Sequence, residues 1–462
     1  MPLSVVVGRL RNQMTKVSAR VKGLHPRTLS ALINSFWGVI IKGGSLGISL
    51  LMVPLTLKCL DNTTFGVWTT LSSLLTLLAF FDIGLGNGLR NRLTEALSNN
   101  DPLLARSYVS TAYLLFAGTQ LILLLLFVVV NNFIPWARLL NTTIPRHLLG
   151  QLSLILFIGV SAKLVFDLIT FVFYARQEPA KAGLMLLVIN ITTLTGLLYL
   201  VYTGQGNLIN LAILNAVCPL VVLLITSFWL YNGSLSFLKP VPRFFRRVHI
   251  RGLLGLGSKF FIIQLAVVII FYSDNLIITQ LFGPEYVTPY NISYRYFNII
   301  NTFFAIMLTP FWSAFTEAHV KGEYDWMRAS YKRLWWLWLG IVGLVLVWII
   351  LAPTIYALWV GKRVQIPFLL TLCMGLSIIV MCLNNITVVV INGLGKIKLQ
   401  LFSALFSAAI NLPLSILFGQ YLGLGSAGVI LATTLSLLSG SVIGFLQARR
   451  LLNRTAAGIW NQ

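Results

Sequence analysis

Twelve apolar stretches run almost end to end through this sequence, separated by short polar connections. They fall at 29–57, 64–88, 104–130, 148–174, 182–203, 207–230, 252–280, 287–315, 333–352, 366–392, 399–420 and 425–447. A helix that crosses a bilayer needs about 20 apolar residues. The pattern therefore predicts an all-α polytopic membrane protein with twelve transmembrane helices. Charged residues make up 10% of the chain, against roughly 25% in a soluble domain. Water could not solvate such a surface, so lipid must cover it.

The 34 lysines and arginines test the map. Arg9, Arg11, Lys16, Arg20, Lys22 and Arg27 precede the first stretch. Further basic groups follow the second (Arg90, Arg92, Arg106), fourth (Arg176, Lys181), sixth (Lys239, Arg243, Arg246, Arg247, Arg251, Lys259), eighth (Lys321, Arg328, Lys332, Arg333), tenth (Lys396, Lys398) and twelfth (Arg449, Arg450, Arg454). The alternate connections hold only Lys58, Arg138, Arg146, Lys362 and Arg363. The positive-inside rule places both termini in the cytoplasm, as an even number of crossings requires. The net charge of +23 does not point to nucleic acid, because the basic residues flank apolar spans instead of forming a face.

Residues 1–27 repeat apolar side chains at Leu3, Val7, Leu10, Met14, Val17, Val21 and Leu24, with basic residues between them. This predicts an amphipathic helix on the anionic inner leaflet. No cleavable signal is read there, since the first long apolar run begins near Leu29. The polar, basic segment 231–251 divides the chain into an N-lobe (28–230) and a C-lobe (252–448), followed by a tail (449–462). The connections Leu60–Trp68 (LDNTTFGVW) and Phe282–Tyr290 (FGPEYVTPY) echo one another between the first two spans of each lobe. Both halves start from the same side, so the repeats are parallel and related by an axis along the membrane normal. Two such lobes enclose a central cavity.

Six ionisable residues fall inside spans: Lys42, Asp82, Lys163, Asp167, Asp274 and Arg295. Each costs roughly 3 kcal/mol or more if it faces lipid, so each must face protein or a wet cavity. Two readings stay open. The six can pair structurally, as Lys163 with Asp167 at i,i+4, Asp274 with Arg295 at similar depth, and Lys42 with Asp82. Alternatively, bases line the cavity and hold an anionic headgroup through charge-assisted hydrogen bonds, while an acid takes a coupling proton or sodium ion. Lys42 stands beside Gly43, Gly44 and Gly47, where helices can approach closely. Asn291, Asn298 and Asn301 flank Arg295 and make a polar stripe that favours a wet cavity over interhelical glue.

Other features read as structural. Trp335, Trp336 and Trp338 form an interfacial aromatic belt. Gly84–Gly88 ends a membrane helix and has no P-loop lysine, so it is a hinge, with Arg90 and Arg92 positioned to touch a phosphate at the entrance. The four cysteines and four histidines lack ligand spacing, and no metal site is expected.

Three stretches carry a family resemblance. Residues 65–101 (FGVWTTLSSLLTLLAFFDIGLGNGLRNRLTEALSNND) and 273–326 (SDNLIITQLFGPEYVTPYNISYRYFNIINTFFAIMLTPFWSAFTEAHVKGEYDW), with 391–400 (INGLGKIKLQ), resemble the bacterial oligosaccharide (Wzx-type, O-antigen) flippases. These belong to the multidrug/oligosaccharidyl-lipid/polysaccharide (MOP) exporter superfamily. The resemblance implies a V-shaped, two-lobed, MATE-like exporter. It would carry an undecaprenyl-diphosphate-linked oligosaccharide from the cytoplasmic to the outer leaflet of the inner membrane by alternating access. It also implies H+ or Na+ coupling, and a polysaccharide polymerase and chain-length regulator as partners. Asp82, Arg90, Asp274 and Arg295 lie in the matched stretches. The candidate substrate contacts are therefore Lys42, Arg90, Lys163, Asn291, Arg295 and Asn298, and the candidate coupling-ion residues are Asp82, Asp167 and Asp274. Lys42, Lys163 and Asp167 rest on their position within spans alone.

The main alternative is a multidrug/cation antiporter of the same superfamily, which calls for an acidic, aromatic cavity. An enzyme needs acid–base groups in a sizeable outward loop. The longest one expected, 131–147, holds Arg138, Arg146 and His147 but no carboxylate, so no catalytic residue is assigned.

Overall fold

The computed structural model describes residues 26–76, 85–176, 178–254, 273–361 and 364–462. The expected helix over 1–27 lies almost wholly outside them. The chain forms α1 (Pro26–Cys59), α2 (Asn62–Thr76), α3 (Leu85–Ser98), α4 (Pro102–Asn131), α5 (Arg146–Phe166), α6 (Leu168–Ala175), α7 (Pro179–Tyr202) and α8 (Leu208–Asn232). A short α9 (Val248–Leu254) follows. After helical residues 273–282 come α10 (Val287–Lys321), α11 (Tyr324–Trp359), α12 (Phe368–Gly393), α13 (Lys398–Ile416) and α14 (Gly425–Leu452).

Eight described helices are long and apolar enough to cross a membrane, with α5 and α6 together forming one of them. The protein is a multi-pass membrane protein. α10 is 35 residues long but less apolar, because Asn291, Arg295, Asn298 and Asn301 interrupt it. Of the twelve expected crossings, the second and seventh pass through 77–84 and 255–272, outside the described residues. Side chains such as Leu121, Ile122, Leu125 and Leu126 of α4, Phe228 of α8 and Ile350 of α11 are exposed, which is the surface that lipid covers.

Local chemistry sets the helix ends. Asp101 accepts a 2.9 Å hydrogen bond from the Leu104 N–H, with Pro102 at the first turn of α4. Asn207 caps α8 in the same way through the Asn210 N–H at 2.9 Å. The helix that carries the ninth expected span starts earlier than the apolar stretch, at Tyr324, and the connection before it is only Gly322–Glu323. Gly322 takes a left-handed conformation at φ 76°, and the Glu323 N–H reaches back to the Ala318 carbonyl at 2.8 Å. This closes α10 at once. Arg328, Lys332 and Arg333 are good helix formers and lie in the first turns of α11.

In the N-terminal lobe α1 packs on α7, α5 on α8, and α3 on α4 and α6. Gly159 of α5 lets the Ala216 backbone of α8 come so near that an added Cβ would lie 2.4 Å from the Ala216 Cβ. Gly159→Leu should destabilise the protein by about 1–3 kcal/mol through overpacking, read as a lower melting temperature in detergent. In the C-terminal lobe α12 is central, flanked by α10, α11 and α14, and α13 lies against α14.

The segment joining the lobes is a packed strap along α4. Arg106 Nε donates to the Lys239 carbonyl at 3.0 Å, and Ser107 Oγ to the Phe244 carbonyl at 2.9 Å. The Val241 and Arg246 N–H groups donate to Ser110 Oγ and Thr111 Oγ1, each at 3.1 Å. His249 lies against Tyr108 with ring centroids 4.4 Å apart. Burial, and then the Arg246 cation, push its imidazole pKa below the ordinary value.

Candidate functional site

Among the described residues, hydrogen bonds between the lobes gather at the end remote from the C-terminus. Thr70 and Thr279 share one of 2.7 Å. Asn275 Nδ2 donates to Ser73 Oγ at 2.6 Å, and Thr288 Oγ1 to the Asn62 carbonyl at 2.6 Å. Gln280 Nε2 donates to the Arg138 and Leu139 carbonyls. Trp359 Nε1 donates to the Leu50 carbonyl at 2.9 Å. At the centre of this seam the backbones touch: a Cβ on Gly66 would stand 1.7 Å from the Pro284 carbonyl oxygen. Gly66 and Pro284 belong to the two connections that echo one another in sequence.

Beneath this seam lies a cavity of about 240 Å³. α1 contributes Ser49, Met52 and Thr56, α2 contributes Phe65 and Trp68, α7 contributes Asn190 and Leu197, and α8 contributes Leu211 and Asn215. From the opposite lobe α10 contributes Arg295. Arg295 stands eight residues into α10 from Val287, hence about 12 Å along its axis at 1.5 Å per residue. It is the one charged group among the lining residues, and no described carboxylate lies within 4.0 Å of it. An unpaired guanidinium at this depth is costly unless it meets water or an anion.

The expected pair between Asp274 and Arg295 does not form. Asp274, 1% exposed, points into the C-terminal lobe. Tyr290 Oη donates to its Oδ2 at 2.6 Å, and Thr433 Oγ1 lies 3.2 Å from both carboxylate oxygens. Asn411 Nδ2 donates to Thr433 Oγ1 at 2.9 Å, which leaves the buried Asn411 Oδ1 without a partner among the described residues. The helix at 273–282, α10, α13 and α14 thus converge on one buried carboxylate. Its donor set is all oxygen, the type that suits a proton or a small hard cation.

The other candidates separate. Lys163 and Asp167 make no ion pair. Asp167 stands at the break between α5 and α6 and accepts the Thr170 hydroxyl at 2.7 Å. Arg90 is exposed on α3, 5.5 Å over the Tyr174 ring. Lys42 stands on α1 two turns before Ser49, while Asp82 and any pairing with it lie outside the described residues. Asn291 Nδ2 donates to Asn275 Oδ1 at 2.9 Å and so joins the seam. Asn298 accepts from Asn301, which in turn accepts from Asn385 Nδ2 of α12 at 2.9 Å. The stripe flanking Arg295 therefore joins helices, and among its members Arg295 lines the cavity. Sequence reasoning did not single out Tyr290 and Thr433, because isolated hydroxyls in apolar helices look like ordinary interhelical contacts.

No protein-family model matches the chain. Over 284 residues it is 22% identical to a Salmonella typhimurium protein named "Putative O-antigen transporter", covering 60% of this chain and 63% of that protein, under two-thirds of its length. Solved structures share the fold. An inward-facing MATE-family multidrug resistance transporter of the MOP superfamily superposes with a TM-score of 0.71 at 16% identity, over 94% of this chain and 97% of that one. An outward-facing MATE structure gives 0.66 at 14% identity, over 93% and 97%. A MOP-superfamily transporter from Pyrococcus furiosus Vc1 (DSM3638), described as having a binding pocket of reversed polarity, gives 0.67 at 14% identity, over 93% and 97%. These similarities bear out the resemblance to MOP exporters of the Wzx type, and the fold of this chain is that of the MATE transporters.

Proposed function

We propose that this chain, with its MOP-exporter fold, is a flippase for undecaprenyl-diphosphate-linked oligosaccharide. It moves an O-antigen or exopolysaccharide repeat unit from the cytoplasmic to the outer leaflet of the bacterial inner membrane by alternating access. Both termini face the cytoplasm. The observation that carries the reading is Arg295, an unpaired cation delivered by one lobe into a polar cavity of the other. A guanidinium is planar, always charged and well matched to diphosphate oxygens. Asn190, Asn215, Ser49 and Thr56 supply neutral donors and acceptors for sugar hydroxyls, and Trp68 supplies a flat apolar face. In the antiporter reading a cationic drug would meet Arg295 and no lining carboxylate, an unfavourable arrangement.

In this reading the seam at Gly66 and Pro284 closes the outer side. Opening requires the Thr70–Thr279 and Ser73–Asn275 bonds to break together. The Asp274 cluster is the coupling-ion site: when bound, the ion neutralises the buried carboxylate. Asp274 then holds it with Thr433 and the free Asn411 Oδ1. Asp274 stands one residue before Asn275, which bonds across the seam, so loading the carboxylate acts on the element that shuts the outer side. Asp274→Asn should leave folded protein whose transport in proteoliposomes no longer responds to an imposed sodium or proton gradient. A response as large as the parent's would remove Asp274 from coupling. Flipped glycan would pass to a polymerase and a chain-length regulator.

The decisive experiment separates cytosol-facing from outward-facing lipid-linked glycan in a deletion strain, by protection from added glycosidase. Build-up of protected undecaprenyl-diphosphate oligosaccharide, reversed by the plasmid-borne gene, is expected. Normal glycan pools with heightened sensitivity to cationic drugs would instead establish the antiporter.

A further inference from the structure

A second concavity, of about 410 Å³, lies away from the interlobe cavity, where the first turns of α11 meet the last turns of α14. Arg328, Lys332 and Arg449 bring three cations to it, while Tyr331, Trp335 and Phe445 supply its aromatic surface. The Trp335 ring meets Phe445 edge-on at 5.3 Å and Tyr331 at 6.2 Å. Arg328 is partly engaged, donating to the Leu452 carbonyl at 3.2 Å and pairing with the exposed Asp325 at 2.5 Å. No described carboxylate lies within 4.0 Å of the exposed Lys332 or Arg449. Tyr331, 8% exposed, closes the inner wall of this concavity.

We propose that this concavity is a binding site for the phosphodiester headgroup of an anionic phospholipid, in the leaflet on the side of the chain termini. The three cations hold the phosphate, and Trp335 and Phe445 pack on the glycerol and first acyl carbons. Cations set over an aromatic floor at the end of two membrane helices match a lipid. Free phosphate would use the cations and leave the aromatic surface without a role. Each cation near an anionic membrane surface contributes roughly fivefold to binding. Occupancy would tie the start of α11 to the end of α14.

The test uses the full-length protein purified in detergent, with phosphatidylglycerol, phosphatidylcholine and inorganic phosphate as separate probes. Retained lipid is read by native mass spectrometry and thermal shift. Phosphatidylglycerol should stay bound and raise the melting temperature, phosphatidylcholine should not, and millimolar phosphate should give no shift. Lys332→Gln with Arg449→Gln should lower phosphatidylglycerol affinity by about 25-fold, with the melting temperature in phosphatidylcholine unchanged. Lys332→Arg should retain that affinity. Arg295→Ala should keep full lipid retention, which separates this site from the transport cavity. Equal retention by the double variant would overturn the assignment of the site, and stabilisation by inorganic phosphate alone would overturn the lipid.

Discussion

Gly66→Leu is expected to abolish transport while leaving protein in the membrane, by holding the lobes apart on the outer side. The α2 backbone and the Pro284 carbonyl are in contact at this point, and an added Cβ would fall 1.7 Å from that oxygen. Contact between non-bonded heavy atoms lies near 3.5 Å, and backbone cannot yield as a side-chain tip can. The lobes must separate, and with them the Thr70–Thr279 and Asn62–Thr288 bonds. A transporter that cannot close its outer side cannot return to accept substrate from the other side. The readout is a disulfide between Thr70→Cys and Thr279→Cys, whose parent oxygens are 2.7 Å apart. Oxidation should cross-link this pair in the parent background and leave it open with Gly66→Leu. Efficient cross-linking in the variant would show that the seam tolerates the side chain and does not gate.

The second large effect is expected at Arg295. Arg295→Ala removes the one charged group lining the cavity. A hydrogen bond to a charged group contributes about 1.5–3 kcal/mol, so substrate affinity should fall by roughly 10- to 150-fold. Arg295→Lys should recover part of it, since lysine keeps the charge and loses the planar fork. The pair with Asp274 gives a sharper check. Asp274 is held by Tyr290 and Thr433 while Arg295 faces the cavity, so neutralising both should be no better than the worse single change. Rescue by the double substitution, measured as surface polysaccharide in a complemented deletion strain, would show that the two residues do pair during the cycle.

Parts of the site were legible in sequence for a plain reason. A charge inside an apolar run is conspicuous, and Asp274 and Arg295 were both found that way. Their surroundings were not. Depth along two antiparallel helices placed them at similar height, but depth says nothing about rotation. The two residues face different ways, Arg295 toward α1, α2, α7 and α8, and Asp274 toward Tyr290 and Thr433. The asparagines near Arg295 were read as a wetted stripe. Asn291 and Asn301 are instead satisfied by Asn275 and Asn385, residues 16 and 84 positions away.

The sequence by itself determined that the chain is helical and membrane-embedded, because hydropathy and charge placement are properties of segments and need no partner. It also marked the two echoing connections, Leu60–Trp68 and Phe282–Tyr290. Only the tertiary structure decided that these two connections meet, and that Gly66 is glycine because Pro284 lies against it. It likewise decided which buried charge reaches the cavity and which is enclosed by hydroxyls. Those outcomes depend on helix rotation and on contacts across hundreds of residues, and close packing admits one arrangement of them where a pattern of residue types admits many.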